Sequence, residues 1–460
     1  MILWWAAVAF AARPDSGSGL YAFEDEDVLE FVDGPEGAVR VHYSIEGPND
    51  TLLDDDDSSG FPDFPEEVAA TAEEVIDFYA DQGFLAPLSE ADLGLGDLGG
   101  SEALDFYLVD FAGTADGLFA VDACEDGVCS GYMVMENDFY NYGYPSLSEA
   151  IRVLTSHELF HGVQYAYSDD EPSWFSEGSA VWAEYQFDNT VDDFVWLCNA
   201  YLEDTGRSID RPPSGAITAF SYGTALFFQF LTERFGPEIG PALQTAMQDR
   251  DAEDAILAIE EAISAEGGTL TEEWTAFAQW NLATGDRAGL AESYPFADDL
   301  DGIAAEMEGD ALHDDNRFYP LAATYYLLDH PGGELFFATA DDSAGVVFSL
   351  HPVADGAPDG PVEEAIAEWS GVERYEFGDL PAGGYWMVGT YPEIAEQSVK
   401  LEFCLGAQDA AAACAAEDTD PPNAPEDPGG CACGTTTPSA AGSALVLAFA
   451  LFGRLRRRTQ

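Results

Sequence analysis

The chain has 460 residues, 88 of them acidic and 15 basic, for a formal net charge of −73 with Lys400 as its single lysine. That balance excludes nucleic acid as a partner, because a phosphate backbone is held by Lys and Arg. A hydrophobic fraction of 47% and an aromatic fraction of 13% equally exclude a disordered acidic chain, so the charge coats a folded protein and suits a saline or calcium-containing medium.

Residues 1–12, Met1 to Ala12, are an apolar run ending in small side chains, which reads as the end of a secretory signal; a folded-core strand is the competing reading. A short N-terminal segment, 13–39, follows. Across 40–310, strand candidates such as Ala38 to Ile45 and Ala103 to Val109 alternate with long helices, the pattern of an α+β domain. Within it Asp55, Asp57, Ser59, Asp63 and Glu66 occupy positions 1, 3, 5, 9 and 12 of a calcium-loop pattern, with Gly60 at position 6. Bound Ca²⁺ would anchor a helix from Glu66 to Tyr79, and the bland alternative is a solvated acidic loop. Seven cysteines suit an oxidising compartment. Cys124 and Cys129 flank an Asp-Gly turn, Cys404 and Cys414 are spaced to close another local loop, and Cys198 is left over as a small buried side chain, although spacing alone leaves other pairings open.

Pro145, Ser146 and Glu149 form a helix start signal with a Ser-x-x-Glu box, predicting one amphipathic helix from Ser146 to Tyr167. It carries the run His157-Glu158-Leu159-Phe160-His161. Histidines at i and i+4 stand one turn apart on one face, so both imidazoles can reach a single tetrahedral cation, and Glu158 can take a proton from the water beside it. A second helix is expected to open near Ser173. It brings Glu177, sixteen residues past His161, as a third ligand that leaves one position open, as a catalytic zinc site requires. The small Gly178 and Ala180 would let this helix approach the first, and Glu184, seven residues on, is placed to orient a ligand imidazole. His42, His313, His330 and His351 show no ligand spacing and read as ordinary surface or core residues.

His-Glu-x-x-His followed by Trp174-Phe175-Ser176-Glu177-Gly178-Ser179-Ala180 resembles the gluzincin zinc metallopeptidases, especially the aminopeptidase N relatives. The layout as a whole resembles secreted metalloproteases of myxobacteria. The resemblance implies a helical active-site lobe and carries the family's roles to His157, His161 and Glu177 as Zn²⁺ ligands and to Glu158 as general base, although the spacing is a few residues shorter than in the aminopeptidases proper. Tyr222, in the run Phe220 to Phe228, is similar to the gluzincin tyrosine that donates to the tetrahedral oxyanion, but the lysine that follows it in the family is missing; a core tyrosine is the alternative. The run Gly131 to Asn137 resembles the strand with which aminopeptidases hold a substrate amine. It stands too close to His157 for that role, so Glu136 reads by default as a solvent-facing residue on an edge strand.

Further helices are predicted over Phe220 to Phe235, Ala252 to Ala265 and Thr271 to Ala283. Residues 318–406 change character: Leu335 to Ala338, Gly345 to Leu350, Gly384 to Gly389 and Val399 to Phe403 alternate as strands between Gly, Pro and Asp turns, predicting a small β-sandwich. Residues 407–430 are a Pro-rich linker. Residues 431–460 run from Cys431 and Cys433 through an apolar stretch to Arg454, Arg456, Arg457 and Arg458, an arrangement resembling a myxobacterial C-terminal sorting signal. These readings predict an exported or surface-displayed zinc peptidase acting on peptide or protein substrates, with membrane contact only through the tail. The rival is a calcium-stabilised surface binding or adhesion protein with an inactive zinc site.

Overall fold

The computed structural model describes residues 12–17, 21–190, 193–339, 345–354 and 360–407. The signal segment before Ala12, the linker beyond Ala407, the sorting tail and Cys414 lie outside them. The protein is α+β and divides into two compact units, the first built from residues up to Phe277 together with Tyr294–Gly302, the second from Ala278–Ser293 and the residues from Ile303 on.

The first unit holds a five-stranded sheet of β1 (Leu29–Asp33), β2 (Val39–Ser44), β3 (Leu104–Val109), β4 (Gly117–Glu125) and β5 (Val128–Glu136), in the order β1-β2-β3-β5-β4. β3 is buried at every residue, as expected of a central strand covered on both faces, and its one charged residue, Asp105, is paired with Arg13 and His42. It runs parallel to β2 and β5, while β1 and β4 pair antiparallel at the two edges. The run Gly131 to Asn137 therefore does not form an edge strand. Glu136 is 2% exposed and accepts from the Phe111 amide (3.0 Å) and the Tyr142 hydroxyl (2.7 Å), and burial pushes its carboxyl up to about 7. The run itself could not reveal this, because which strands flank it is settled by distant segments; in the sheet it is buried on both faces.

The β4–β5 hairpin turns at Asp126 and Gly127, both at positive φ (51° and 84°), as a two-residue type I′ turn demands. Cys124 and Cys129 face one another across it and are disulfide-bonded. Replacing both by alanine is expected to lower stability by about 2 kcal/mol through the freed unfolded chain, read as a shift in the urea midpoint; an unchanged midpoint would show the hairpin to be held by its strands alone. Cys198 is buried and free, and Cys404 is disulfide-bonded. Arg13 ties the N-terminal segment to the sheet, bonding Glu90 (3.0 Å), Asp122 (2.6 Å) and Asp105.

Two long helices carry the predicted motifs. α1 (Asp63–Gln82) opens at Asp63, three residues ahead of Glu66, and ends where Gly83 takes φ 97°. α2 (Leu147–Tyr165) is N-capped by Ser146, whose Oγ accepts from the Glu149 amide at 3.1 Å. In place of the reciprocal backbone bond of a full capping box, the Ser146 hydroxyl donates to Glu149 Oε2 at 2.8 Å. α3 (Ser173–Phe187) and α4 (Asp193–Leu202) follow. The single helix expected over Phe220 to Phe235 is two, α5 (Ala219–Gly223) and α6 (Ala225–Phe235). They part at Thr224, whose hydroxyl leaves the helix register to reach the Trp174 carbonyl at 2.6 Å, with the Ser221 carbonyl at 2.7 Å. Then come α7 (Ile239–Met247), α8 (Ala255–Ala265) and α9 (Leu270–Leu282).

The second unit is a two-layer β structure. Its four-stranded sheet has the order β12-β9-β14-β7, with β7 (Leu312–Phe318), β9 (Gly333–Thr339), β12 (Arg374–Leu380) and β14 (Val399–Gly406). Its five-stranded sheet has the order β11-β10-β13-β8-β6, with β6 (Met307–Gly309), β8 (Ala323–His330), β10 (Val347–Pro352), β11 (Ala367–Ser370) and β13 (Gly383–Thr390). Phe337 and Phe403 from one sheet meet Phe348 from the other, with ring centroids 4.9 and 5.7 Å apart, inside one buried cluster. Among the described residues no helix is long and apolar enough to cross a membrane.

Candidate metal centre

α2 and α3 pack against each other and aim His157, His161 and Glu177 at one point. His157 Nε2 lies 3.4 Å and His161 Nε2 3.6 Å from Glu177 Oε2. These separations exceed a direct N–H···O bond. They match the roughly 3.4 Å edge of a tetrahedron whose corners stand ~2.0–2.1 Å from a central ion. The two rings are nearly perpendicular, 84° between planes with centroids 5.0 Å apart, so their Nε2 atoms converge instead of stacking.

Each ligand is held from behind. His161 Nδ1 is 2.7 Å from Gln164 Oε1, which sets Nδ1 as the protonated nitrogen and leaves Nε2 as the bare one. Gln164 is itself fixed to α3, donating to the Ser176 carbonyl (2.8 Å) and Ser179 Oγ (2.9 Å). On the other imidazole, Nδ1 of His157 is 3.4 Å from Glu184 Oε2. Glu184 shares a hydrogen bond with Asp193; burial pushes the Glu184 carboxyl up to about 8 and raises that of Asp193 as well.

The electrostatics of the pocket couple its imidazoles to its carboxylates. Burial would raise the Glu177 carboxyl, but His157 and His161 outweigh it and hold the group at about 2, ionised and ready to bind. Burial would likewise lower both imidazoles, yet Glu177 and Glu158 outweigh it and raise them. Asp116, 2% exposed, adds another carboxyl close to Glu158 and His157; burial pushes it up to about 6, although the Tyr144 hydroxyl donates to Oδ2 at 2.7 Å.

The signs of these shifts set a pH dependence. In the metal-free protein the raised imidazoles lend stability that is lost as pH rises through their folded values, whereas the Glu177 contribution is lost only as pH falls toward about 2. A metal needs the imidazoles neutral, so its affinity is expected to fall as pH drops below their raised values. Metal affinity measured across a pH series checks this, and an affinity that stays constant on acidification would count against imidazole ligation.

Glu158, 7% exposed, stands beside the ligands with Oε2 accepting from the Phe119 amide of the edge strand β4 at 2.9 Å. Tyr222 comes in from α5, its ring centroid 6.1 Å from that of His157 and its hydroxyl hydrogen-bonded to Glu177; burial and then Glu177 raise it. The small side chain of Gly178 serves a contact other than the expected one. A Cβ there would stand 2.0 Å from Thr224 Oγ1 and 3.1 Å from the Phe228 ring, so glycine admits the α5–α6 break, while the α2–α3 contact runs through Gln164.

In the loop before α1, Asp55, Asp57 and Asp63 bring carboxylate oxygens within 4.8 Å of one another. Asp55 and Asp57 accept from the Ser59 amide at 3.0 and 2.8 Å, and the Ser59 hydroxyl donates to Glu66 at 2.7 Å. The other four histidines keep separate bonds: His42 with Asp105, His313 with Glu402, His330 with the Gly333 carbonyl and His351 with the Glu363 carbonyl. Sequence reasoning passed over Gln164 and Asp116. Gln164 had a signal, lying at i+3 from His161 on the same helix face, whereas Asp116 reaches the site only through the sheet.

No known family pattern and no curated relative matches the chain. Among solved structures it is similar to the Aeromonas hydrophila protein PliG, a periplasmic lysozyme inhibitor of g-type lysozyme. Identity is 20%, covering 22% of this chain and 98% of that one, with a TM-score of 0.16. A likeness at that score assigns neither fold nor function.

Proposed function

We propose that the protein is an exported zinc-dependent peptidase of gluzincin type. The observation that carries the reading is the convergence of two imidazole nitrogens and one ionised carboxylate at tetrahedral-edge spacing, with a further carboxylate, Glu158, beside them. Zn²⁺ held by His157, His161 and Glu177 would polarise a peptide carbonyl and acidify a nearby water. Glu158 takes the proton of the attacking water and returns it to the leaving amine. The Phe119 amide holds one oxygen of Glu158, fixing the direction in which the carboxylate faces. Tyr222 donates to the oxygen that gains charge as the carbonyl is attacked. Gln164 keeps the His161 imidazole in its ligating orientation, and the Glu184 carboxylate faces Nδ1 of His157.

Two disulfide-bonded cysteines in a hairpin support export into an oxidising compartment, and a Ca²⁺ ion at Asp55, Asp57 and Asp63 would brace the start of α1. The resemblance of residues 431–460 to a sorting signal makes the cell surface the destination. Casein hydrolysis in moderate salt with calcium tests the peptidase reading. Cleavage that a zinc-selective chelator stops and added zinc restores is expected; a zinc-loaded protein without cleavage of casein or gelatin would move the reading toward the adhesion alternative.

A further inference from the structure

The loop between α2 and α3 carries a carboxylate for which neither the fold nor the proposed chemistry has a use. Both oxygens of Glu171 are shut away from solvent, and no donor among the described residues reaches either one. A buried acceptor left in this state is costly, because water has been stripped from it and nothing in the chain replaces that water. Its surroundings explain the position. Glu171 lies within electrostatic range of His161, and it acts on Tyr165 together with Glu177 and Glu158. Tyr165 stands one turn beyond His161 on the same face of α2, so Glu171 faces that side of the helix and lies outside the ligand set.

We propose that Glu171 is the specificity-determining carboxylate of this site, taking a cationic nitrogen group of the substrate against its two oxygens. The inference rests on the peptidase reading. Two oxygens that accept from no donor on one carboxylate match the paired N–H groups of a guanidinium and equally accept an ammonium. Tyr165 is stacked on Phe119, ring centroids 6.0 Å apart with 27° between planes, and such faces favour a cation or its aliphatic stem. Burial pushes the Glu171 carboxyl up to about 8, and only His161 opposes this; an arriving cation would restore the ionised form. The formal net charge of −73 adds long-range attraction for positively charged peptides. The nitrogen can come from an Arg or Lys side chain or from a free N-terminal amine, and the two sources are separable.

The test is calorimetric binding of three peptides to the full chain, zinc-loaded and carrying Glu158→Gln to prevent turnover. The peptides are identical apart from two changes: acetylated with a central Arg, acetylated with citrulline in its place, and citrulline with a free N-terminus. At least one cationic peptide is expected to bind about tenfold or more tightly than the acetylated citrulline peptide, and which one does so names the source. Adding Glu171→Gln is expected to bring that peptide to parity while leaving zinc content and neutral-peptide binding unchanged. Equal binding of the three, no binding by any of them, or a preference that survives Glu171→Gln would overturn the proposal. Hydrolysis of the same peptides by the otherwise unaltered protein keeps the two readings apart. A preference without cleavage rejects the peptidase and leaves Glu171 as a cation site, whereas cleavage without a preference rejects the role of Glu171.

Discussion

Replacing Glu158 by glutamine is expected to lower peptide hydrolysis by roughly 10²–10⁴-fold, the usual worth of a positioned general base, while one zinc per chain remains bound. Glutamine keeps the length and shape of the side chain and an oxygen that can still accept from the Phe119 amide, so the β4 contact survives. What it cannot do is take a proton. Because Glu158 is outside the triangle of ligand atoms, metal content should not change. Measuring kcat/KM and zinc stoichiometry on the same preparations separates the two roles. A variant that hydrolyses casein as fast as the unaltered protein would remove Glu158 from the chemistry.

Glu177→Ala should have the opposite signature, losing the metal itself and with it all hydrolysis. The carboxylate is the one oxygen donor in the triangle, and it is the group that offsets the burial cost of two imidazoles, both of which it raises. Without it the site keeps two ligands, one fewer than the three a catalytic zinc centre uses. Gln164→Leu provides the graded comparison. It leaves all three ligands in place but frees the Nδ1 side of His161, for which a loss of about 10–100-fold in zinc affinity is expected. Competition with a zinc-binding dye measures both. If Glu177→Ala held zinc as tightly as the unaltered protein, the third ligand would have to be sought among the neighbouring carboxylates, with Glu184 and Asp116 first in line.

These expectations rest on parts of the protein that were legible to very different degrees. The His157–His161 pair, the cap at Ser146, the start of α3 near Ser173 and the Asp126-Gly127 turn are each decided within a few residues, by helical repeat, hydrogen bonding to the nearest free amide or tolerance of positive φ. Glu177 and Glu184 belong with them, since seven residues on a helix return to the same face. The strands of the second unit were equally visible, as a short apolar run in Leu335 to Ala338 and as alternating apolar residues in Val399 to Phe403. Charged strands such as β7 and the short β6 carry no such alternation, and they pair because their neighbours leave open edges.

The sequence by itself thus determined the candidate trio His157, His161 and Glu177, the helices that carry it and the α+β class, since all of these follow from spacing and local hydrogen bonding. Tertiary structure alone decided that β5 lies inside the sheet, that the Phe220 to Phe235 helix breaks at Thr224, and that Gly178 makes room for that break. It also decided which carboxyl groups surround the ligands. Asp116 arrives from the strand side and Glu171 from a loop, and their burial arises when distant segments close over them, which no local pattern encodes.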